Sequence, residues 1–348
     1  MAADLLEILT VYVDDFVLAG PKHEAEWKAI RAAVKTSEPT VIDRVLGVNH
    51  TFEHAGTVTK TKIDMTAYLH QSIEMYNAIP GGLPLKANVH YPHYEPSHSE
   101  ILNDLDTPGV YGKHSASLLM KLLYCARMAR PDLCYAVNNL ARWVTKWNKL
   151  CDKCLCHLFS YVQTKVAATM HAHVDTNDLD LVEIHAYPDA DLAGSFDSAR
   201  STSGSFVHLS GPGTYYPLDW ASKRQTATSH STTEAELISA NRALRENLVP
   251  LMGLWALLLQ RPVKGIIHED NMSTITVIKT GYSPQLRHLA KHHRISLGLV
   301  HEMCQDPDID VVHVETARQK GDFLTKGLDR TRHEAACQMV GVYRLLKG

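Results

Sequence analysis

Apolar and polar positions recur along this chain at two periods, and the change from one to the other divides it into segments. Residues 10–19 read Thr-Val-Tyr-Val-Asp-Asp-Phe-Val-Leu-Ala. Two β-rich apolar runs flank an acidic pair, which predicts a hairpin with Asp14 and Asp15 at its tip. Trp27, Ile30 and Val34 fall at helical spacing and predict a helix over residues 23–35. Residues 41–50 and 57–65 read as short strands or strand edges. Between residues 79 and 112 the prolines and glycines are dense enough to predict a loop. Helices are then expected over residues 115–128, 132–147 and 152–166, the first stopped near Arg130-Pro131.

The pattern changes character near Thr176. Residues 181–186, 204–209 and 215–221 read as strands, and 231–244 as a helix with Leu237, Ala240, Leu244 and Leu248 as its apolar stripe. The start of that helix, Ser231-Thr232-Thr233-Glu234, fits a capping box, in which hydroxyl and carboxylate satisfy free N–H groups reciprocally. Residues 263–268 form a strand ending at Glu269-Asp270-Asn271, and a helix follows. Residues 309–314 are the last clear strand, and a short acid-capped helix begins near Gly321. The order β-β-β-α-β-α-α-β-α predicts a mixed sheet with covering helices. A domain boundary is expected between residues 168 and 182, and no internal repeat is visible.

Composition narrows the classes. At 348 residues the chain is too long for one ordinary domain. Its 45% hydrophobic and 21% charged residues exclude wholesale disorder and collagen. Thirty-five basic residues stand against 38 acidic ones, so local patches must meet any nucleic-acid partner. The most apolar run, residues 248–259, is too short to span a bilayer. The first residues carry early acids and no basic stretch, so no signal peptide is expected. Seven cysteines in a chain this long point to a reducing compartment rather than a disulfide framework.

Four acids in the second half stand at element ends. Asp189 follows a strand, Glu236 lies in the first turns of a helix, Asp270 closes a strand, and Asp322 begins the last helix. Such acids can converge on one edge of a sheet, where like charges are costly unless a cation is present. Mg²⁺ favours a few carboxylates plus substrate phosphates. Two ions about 3.5–4 Å apart can activate a water and stabilise the leaving oxygen of a phosphodiester. The plainer reading is that these acids are caps and turn residues, and spacing alone favours it. Asp191 and Glu234 are near-neighbour decoys; a helix separates Glu234 from Glu236 by about 200°, so only one can face such a site.

Longer motifs change the weighting. Val11-Tyr12-Val13-Asp14-Asp15 resembles the catalytic hairpin of a reverse transcriptase. Residues 123–137, Leu-Tyr-Cys-Ala-Arg-Met-Ala-Arg-Pro-Asp-Leu-Cys-Tyr-Ala-Val, resemble a segment of copia-type retrotransposon polyproteins. Then come Ala186-Tyr187-Pro188-Asp189-Ala190-Asp191-Leu192-Ala193-Gly194, Arg200-Ser201-Thr202-Ser203-Gly204 and Trp220-Ala221-Ser222-Lys223-Arg224-Gln225. Ser231-Thr232-Thr233-Glu234-Ala235-Glu236-Leu237, Glu269-Asp270-Asn271 and Gly321-Asp322-Phe323-Leu324-Thr325-Lys326 follow. In that order these six resemble the ribonuclease H domain of the Ty1/copia-type Pol polyprotein.

The resemblance implies an α+β or mixed α/β chain. Residues 1–110 would be a truncated reverse-transcriptase palm and thumb-like segment, and 111–175 a helical connection. Residues 180–330 would be a ribonuclease H-like five-stranded mixed sheet with flanking helices, and 331–348 a C-terminal tail. It implies catalytic and metal-binding roles for Asp189, Glu236, Asp270 and Asp322, with two Mg²⁺ ions for which Mn²⁺ can substitute. Glu236 would help position the water and the RNA 2′-hydroxyl. The implied partner is an RNA–DNA hybrid, cut in its RNA strand to leave 3′-hydroxyl and 5′-phosphate ends. No membrane is implied, and the setting would be intracellular, in a cytoplasmic virus-like particle or the nucleus.

Departures from the pattern matter as much. A reverse transcriptase needs a third carboxylate from an earlier strand; only thirteen residues precede Asp14, and Asp4 lies outside the family pattern. Asp14 and Asp15 are therefore expected to be a polymerase remnant, inactive unless a missing N-terminal polymerase domain of a longer polyprotein supplies the rest. Where the family shows a His and basic residues, this chain has Cys151-Asp152-Lys153-Cys154-Leu155-Cys156-His157. Zinc is one reading of Cys151, Cys154 and Cys156. Their place on a predicted helix favours inert packing.

Arg287 and Lys291 are four apart and predict one basic helix face, with Lys279, His288, His292, His293 and Arg294 nearby, suited to a phosphate backbone. Ser203, Lys223 and Arg224, with Ser201, Thr202 and Gln225, form a second candidate backbone-contact surface. Trp143 and Trp147 are expected to pack between helices rather than stack on bases. The leading reading is a metal-dependent hybrid ribonuclease attached to an incomplete polymerase. The alternatives are a decayed, catalytically weak element copy that retains nucleic-acid binding, and a metal-free binding module.

Overall fold

The structure, a computed structural model, describes residues 7–194 and 199–345; Asp4 lies outside them. Its helices are α1 (His23–Ala33), α2 (Thr66–Asn77), α3 (His98–Asp104), α4 (Ser115–Met128), α5 (Cys134–Ala141) and α6 (Lys149–Thr164). In the second half come α7 (Thr232–Arg242), α8 (Val249–Leu259), α9 (Met272–Thr280), α10 (Leu289–His292), α11 (Leu297–Met303) and α12 (Arg330–Met339). Among the described residues no helix is long and apolar enough to cross a membrane.

Ile8–Tyr12 (β1) and Asp15–Ala19 (β2) make a separate antiparallel hairpin with Tyr12 opposite Asp15. The turn is thus Val13-Asp14, and Asp15 opens β2 instead of sharing the tip. Ile8, Leu9, Val11 and Tyr12 are exposed, and a lone two-stranded unit of this kind is marginally stable. Among the described residues no third ligand group joins Asp14 and Asp15 at metal-binding distance.

The other strands form one ten-stranded sheet. They are β3 (Arg44–Val45), β4 (Val48–Ala55), β5 (Val58–Asp64), β6 (Thr169–Asp175), β7 (Glu183–Asp191), β8 (Thr202–Gly211), β9 (Thr214–Arg224), β10 (Gly265–Glu269), β11 (Ile309–His313) and β12 (Val342–Tyr343). Their order is β11-β10-β7-β8-β9-β6-β5-β4-β3, with β12 also paired to β6. β7, β8 and β9 form an antiparallel meander, whereas β10 runs parallel to β7 and β11 parallel to β10. Parallel neighbours need crossovers, which the helices α7 to α11 supply.

The sheet continues where a boundary was expected. Residues 169–175 form β6, which pairs with β5, β9 and β12 and so joins the two halves. The expected tail holds α12 and β12. The expected helix over 132–147 is interrupted: α5 ends at Ala141 and a separate 3₁₀ turn covers Val144–Lys146. Trp143 and Trp147 therefore share no helix, although both pack against the core, and the Trp147 indole donates to Asp152 Oδ1 at 2.7 Å. The three cysteines lie on α6. Cys151 and Cys156 are buried, Cys156 donates to the Pro84 carbonyl, and His157 Nε2 is 2.9 Å from the Tyr91 carbonyl. None of them joins a metal-distance group among the described residues.

Two cores flank the sheet. One packs α2, α4, α5 and α6 with Tyr187, Phe206, Phe323, Leu324 and Ala336. The other holds Ile184, Ala186, Val207 and Ile267 against Leu237 and Ala240 of α7, Leu244 of the π-helical turn Ala243–Leu248 and Ile275 of α9. In the first core the Arg130 guanidinium is 1% exposed and grips Asp132 through two bonds of 2.9 and 2.7 Å. Tyr161 of α6 donates to Asp132 at 2.6 Å, and its hydroxyl meets His333 of α12 at 3.1 Å. This network ties the middle helices to the C-terminal helix.

Candidate active site

The site forms where the two cores meet, at the C-terminal ends of β7 and β10. Strand alternation buries Ile184 and Ala186 in one core and Tyr187 in the other. Asp189 follows Tyr187 by one period, and Tyr187 stacks on His268 of β10 with centroids 4.2 Å apart. One carboxylate oxygen each from Asp189, Glu236 and Asp270 lies within 4.8 Å of the other two. Three of the four acids singled out in the sequence are thereby brought together.

Helix α7 sorts its two glutamates by phase. The Ser231 hydroxyl accepts the Glu234 N–H at 3.1 Å, as a capping residue does. The Glu234 carboxylate accepts the N–H of His230 at 2.9 Å, one residue before the reciprocal partner a capping box would use. Its other oxygen lies 3.1 and 3.2 Å from His288 and His293, which clamps the 287–294 segment to α7. Glu236, on the other side of the helix, joins the acidic group.

Asp322 stands beside the group rather than in it. It opens a 3₁₀ turn, Asp322–Leu324, and its carboxylate is paired with Lys326 and, at 3.0 Å, with Arg332. The Thr325 hydroxyl donates to Asp189 Oδ2. This turn approaches the sheet closely because two glycines let it. A Cβ on Gly321 would meet the Tyr187 carbonyl at 2.6 Å and Asp189 Cβ at 2.9 Å; one on Gly204 would meet Thr325 Cγ2 at 2.7 Å. Gly321→Ala is expected to push the turn off β7, with a loss of roughly 1–3 kcal/mol, as for other overpacked sites. Urea unfolding of the variant checks this.

Burial dominates the electrostatics. It pushes the Asp189 carboxyl up to about 6, against the opposing pull of Lys326 and the Thr325 hydrogen bond. Glu236 is pushed far above the usual carboxylate range, first by burial and then by the charges of Asp189, Glu269 and Asp270. Glu236 Oε2 is buried without a hydrogen-bond partner among the described residues. An all-carboxylate donor set with an unsatisfied buried oxygen fits a hard divalent cation such as Mg²⁺ or Mn²⁺. A second group, Asp132, His333 and Cys337, is also close enough to hold a metal, but Asp132 already carries the Arg130 guanidinium.

The basic residues are placed differently from expectation. Helix α10 has only four residues, so Arg287 lies outside it and shares no helical face with Lys291; both are exposed. Arg287 is turned toward the Tyr282 ring and hydroxyl. Ser203 is 3% exposed, and its hydroxyl accepts from Gln225 Nε2 at 2.9 Å, so it lies beneath the surface. Lys223 and Arg224 do border a groove, together with Arg242, Arg245 and Arg294. Arg242 and Arg245 escaped the sequence reading. So did Thr325, Arg332 and Glu269, although Asp322 and Lys326 four residues apart were a visible signal.

No family model matches the chain. Over 350 aligned residues it is 26% identical to a retrovirus-related Pol polyprotein from transposon RE2 of Arabidopsis thaliana, covering 97% of this chain and 22% of that protein. It is 30% identical over 218 residues to the corresponding protein of transposon RE1, covering 62% of this chain and 14% of the relative. It is 25% identical to that of transposon TNT 1-94 of Nicotiana tabacum, covering 97% of this chain and 24% of the relative. The chain thus spans a quarter or less of these relatives. Similar solved structures include LC11-RNase H1 isolated from compost, at 17% identity and a TM-score of 0.30, covering 41% of this chain and 92% of that one. The N-terminal RNase H domain of rv2228c from Mycobacterium tuberculosis gives 12% and 0.28, covering 45% of this chain and 97% of that one.

Proposed function

We propose that this Pol-polyprotein-like chain is a divalent-cation-dependent nuclease that hydrolyses the RNA strand of an RNA–DNA hybrid. The observation that carries the reading is the convergence of Asp189, Glu236 and Asp270, with oxygens within 4.8 Å of one another. Asp189, Glu236 and Asp270 would hold the cation, and Asp322 would adjust it from the side through Lys326. When bound, Mg²⁺ supplies charge for the attacking and leaving oxygens of a phosphodiester.

The protein's own residues do the rest. Thr325 fixes the Asp189 carboxylate, and the two cores exclude bulk water from its inner side. Lys223, Arg224, Arg245 and Arg294, beside an Arg242 paired with Glu246, give the groove its net positive charge, which suits a sequence-blind grip on phosphates. Asp14 and Asp15, exposed on a hairpin, take no part in this chemistry. The test is cleavage of a labelled RNA–DNA hybrid with Mg²⁺ or Mn²⁺, beside RNA and DNA duplexes. Hybrid-specific cutting that Asp270→Asn abolishes supports the proposal. A folded sample that binds hybrid but cuts nothing under either ion overturns it in favour of a binding module.

A further inference from the structure

Helix α12 carries sulfur and nitrogen donors that the acidic site does not use. His333 and Cys337 are four residues apart on it, so they share one face. His333 is buried, and Cys337 packs against the first core. The His333 Nε2 atom is 3.5 Å from Cys337 Sγ. One ligand atom each from Asp132, His333 and Cys337 lies within 4.8 Å of the other two. Around a tetrahedral Zn²⁺ ion, a His nitrogen at about 2.0–2.1 Å and a Cys sulfur at about 2.3 Å stand about 3.5 Å apart. The imidazole and the thiol therefore already have the separation of two zinc ligands.

The pairing with Arg130 does not close Asp132 to a metal. Asp132 Oδ2 accepts from Arg130 Nη2 at 2.7 Å and from the Tyr161 hydroxyl at 2.6 Å, whereas Oδ1 accepts only from Arg130 Nε, at 2.9 Å. A carboxylate oxygen offers two acceptor positions, so Oδ1 keeps one open among the described residues. The Arg130–Asp132 pair is neutral in sum, and a divalent ion with a Cys337 thiolate adds one net positive charge to it. A cavity of about 680 Å³ borders the group, lined by Tyr161, Lys165, His333, Glu334 and Cys337 among others. It gives an ion a way in and has room for a water at a fourth position. Thiolate and imidazole select zinc over the oxygen-seeking Mg²⁺.

We propose that Asp132, His333 and Cys337 form a zinc site, made of residues separate from Asp189, Glu236 and Asp270 and independent of the nuclease reading. Asp132 lies in the 3₁₀ turn Pro131–Leu133, just before α5. A bound ion thus fastens the C-terminal helix to the middle of the chain, and its binding free energy adds to the stability of that junction.

Titration of the full, reduced chain with Co²⁺, a spectroscopic stand-in for zinc, tests this without reference to activity. Co²⁺ bound by a thiolate shows a ligand-to-metal charge-transfer band in the near ultraviolet, and Co²⁺ bound by carboxylates alone shows none. The proteins compared are the parent, Cys337→Ser, Cys154→Ser and Asp270→Asn. The parent should show the band and lose it to an equimolar amount of Zn²⁺. Cys337→Ser should show no band and bind Zn²⁺ at least about a hundredfold more weakly. Cys154→Ser, which changes a half-buried cysteine of α6, and Asp270→Asn should behave as the parent does. If Cys337→Ser fails to fold by circular dichroism, Cys337→Ala replaces it with the same expected loss. A parent without the band overturns the proposal. So does a band that survives in the Cys337 variant, or one that disappears with Cys154→Ser or Asp270→Asn.

Discussion

Asp189→Asn should stabilise the cation-free protein at neutral pH and abolish hybrid cleavage. Both follow from one cause. Burial raises the Asp189 carboxyl from its ordinary value near 3.8 to about 6, so the folded state holds this proton more tightly than the unfolded state. Its contribution to stability is therefore greatest below the unfolded value and is lost as pH rises through about 6. Above that, holding Asp189 ionised opposes folding by on the order of 3 kcal/mol, a penalty an amide does not carry. Urea unfolding in the presence of a chelator, at pH 5 and pH 7.5, measures it. The variant's advantage should appear at pH 7.5 and shrink at pH 5. Added Mg²⁺ should narrow the gap at pH 7.5 by stabilising the parent alone. An equal or lower stability of the variant at pH 7.5 would show that Asp189 is not an unmet charge.

The largest loss of stability is expected from Asp132→Ala. It leaves the Arg130 guanidinium, 1% exposed, without its two carboxylate bonds and removes the acceptor of the Tyr161 hydroxyl. Breaking a buried pair from one side typically costs about 3–5 kcal/mol, because the remaining charge stays buried and unpaired. Chemical denaturation checks the size. Arg130→Met combined with Asp132→Leu should recover most of the loss, since it removes both charges together. Because His333 of α12 joins the same network through Tyr161, Asp132→Ala should also expose α12 to proteolysis before the sheet unfolds. A double variant no more stable than Asp132→Ala would place the loss in packing rather than in the charge pair.

Much of the site could be read in the sequence because its residues obey the periods of their elements. Asp189 and Asp270 stand where apolar strand patterns stop, and the helical phase of α7 separates Glu236 from Glu234. Other features depend on contacts that no local period encodes. Asp322 stood out as an acid at a helix start, but Arg332, which helps neutralise it, lies in a segment expected to be a tail. Glu269 was passed over because alternation assigns its position to the apolar face. The shared face expected for Arg287 and Lys291 rested on helical spacing alone. Pro284 ahead of them and the left-handed Arg294 after them, at φ 57°, leave a helix of only four residues there.

The fold shows the same division. Met170, Ala172 and Val174 alternate with Thr169, His171 and His173, a strand signal obscured by the expectation of a boundary. The proline-rich stretch hides α3, whose start Ser97-His98-Ser99-Glu100 is a capping box with both reciprocal bonds formed. Its Pro and Gly neighbours outweighed a three-residue spacing. The single ten-stranded sheet lay beyond sequence reading, because pairing of β6 with β5 on one side and β9 and β12 on the other joins segments far apart in the chain.

The central claim is that Asp189, Glu236 and Asp270 form a divalent-cation site. The most direct measurement is the anomalous difference map of crystals grown in Mn²⁺. The account predicts a peak within about 2.0–2.3 Å of carboxylate oxygens from these three residues, with Lys326 still paired with Asp322. A map with no peak there, and with the Lys326 ammonium seated among the three carboxylates at saturating Mn²⁺, would contradict it.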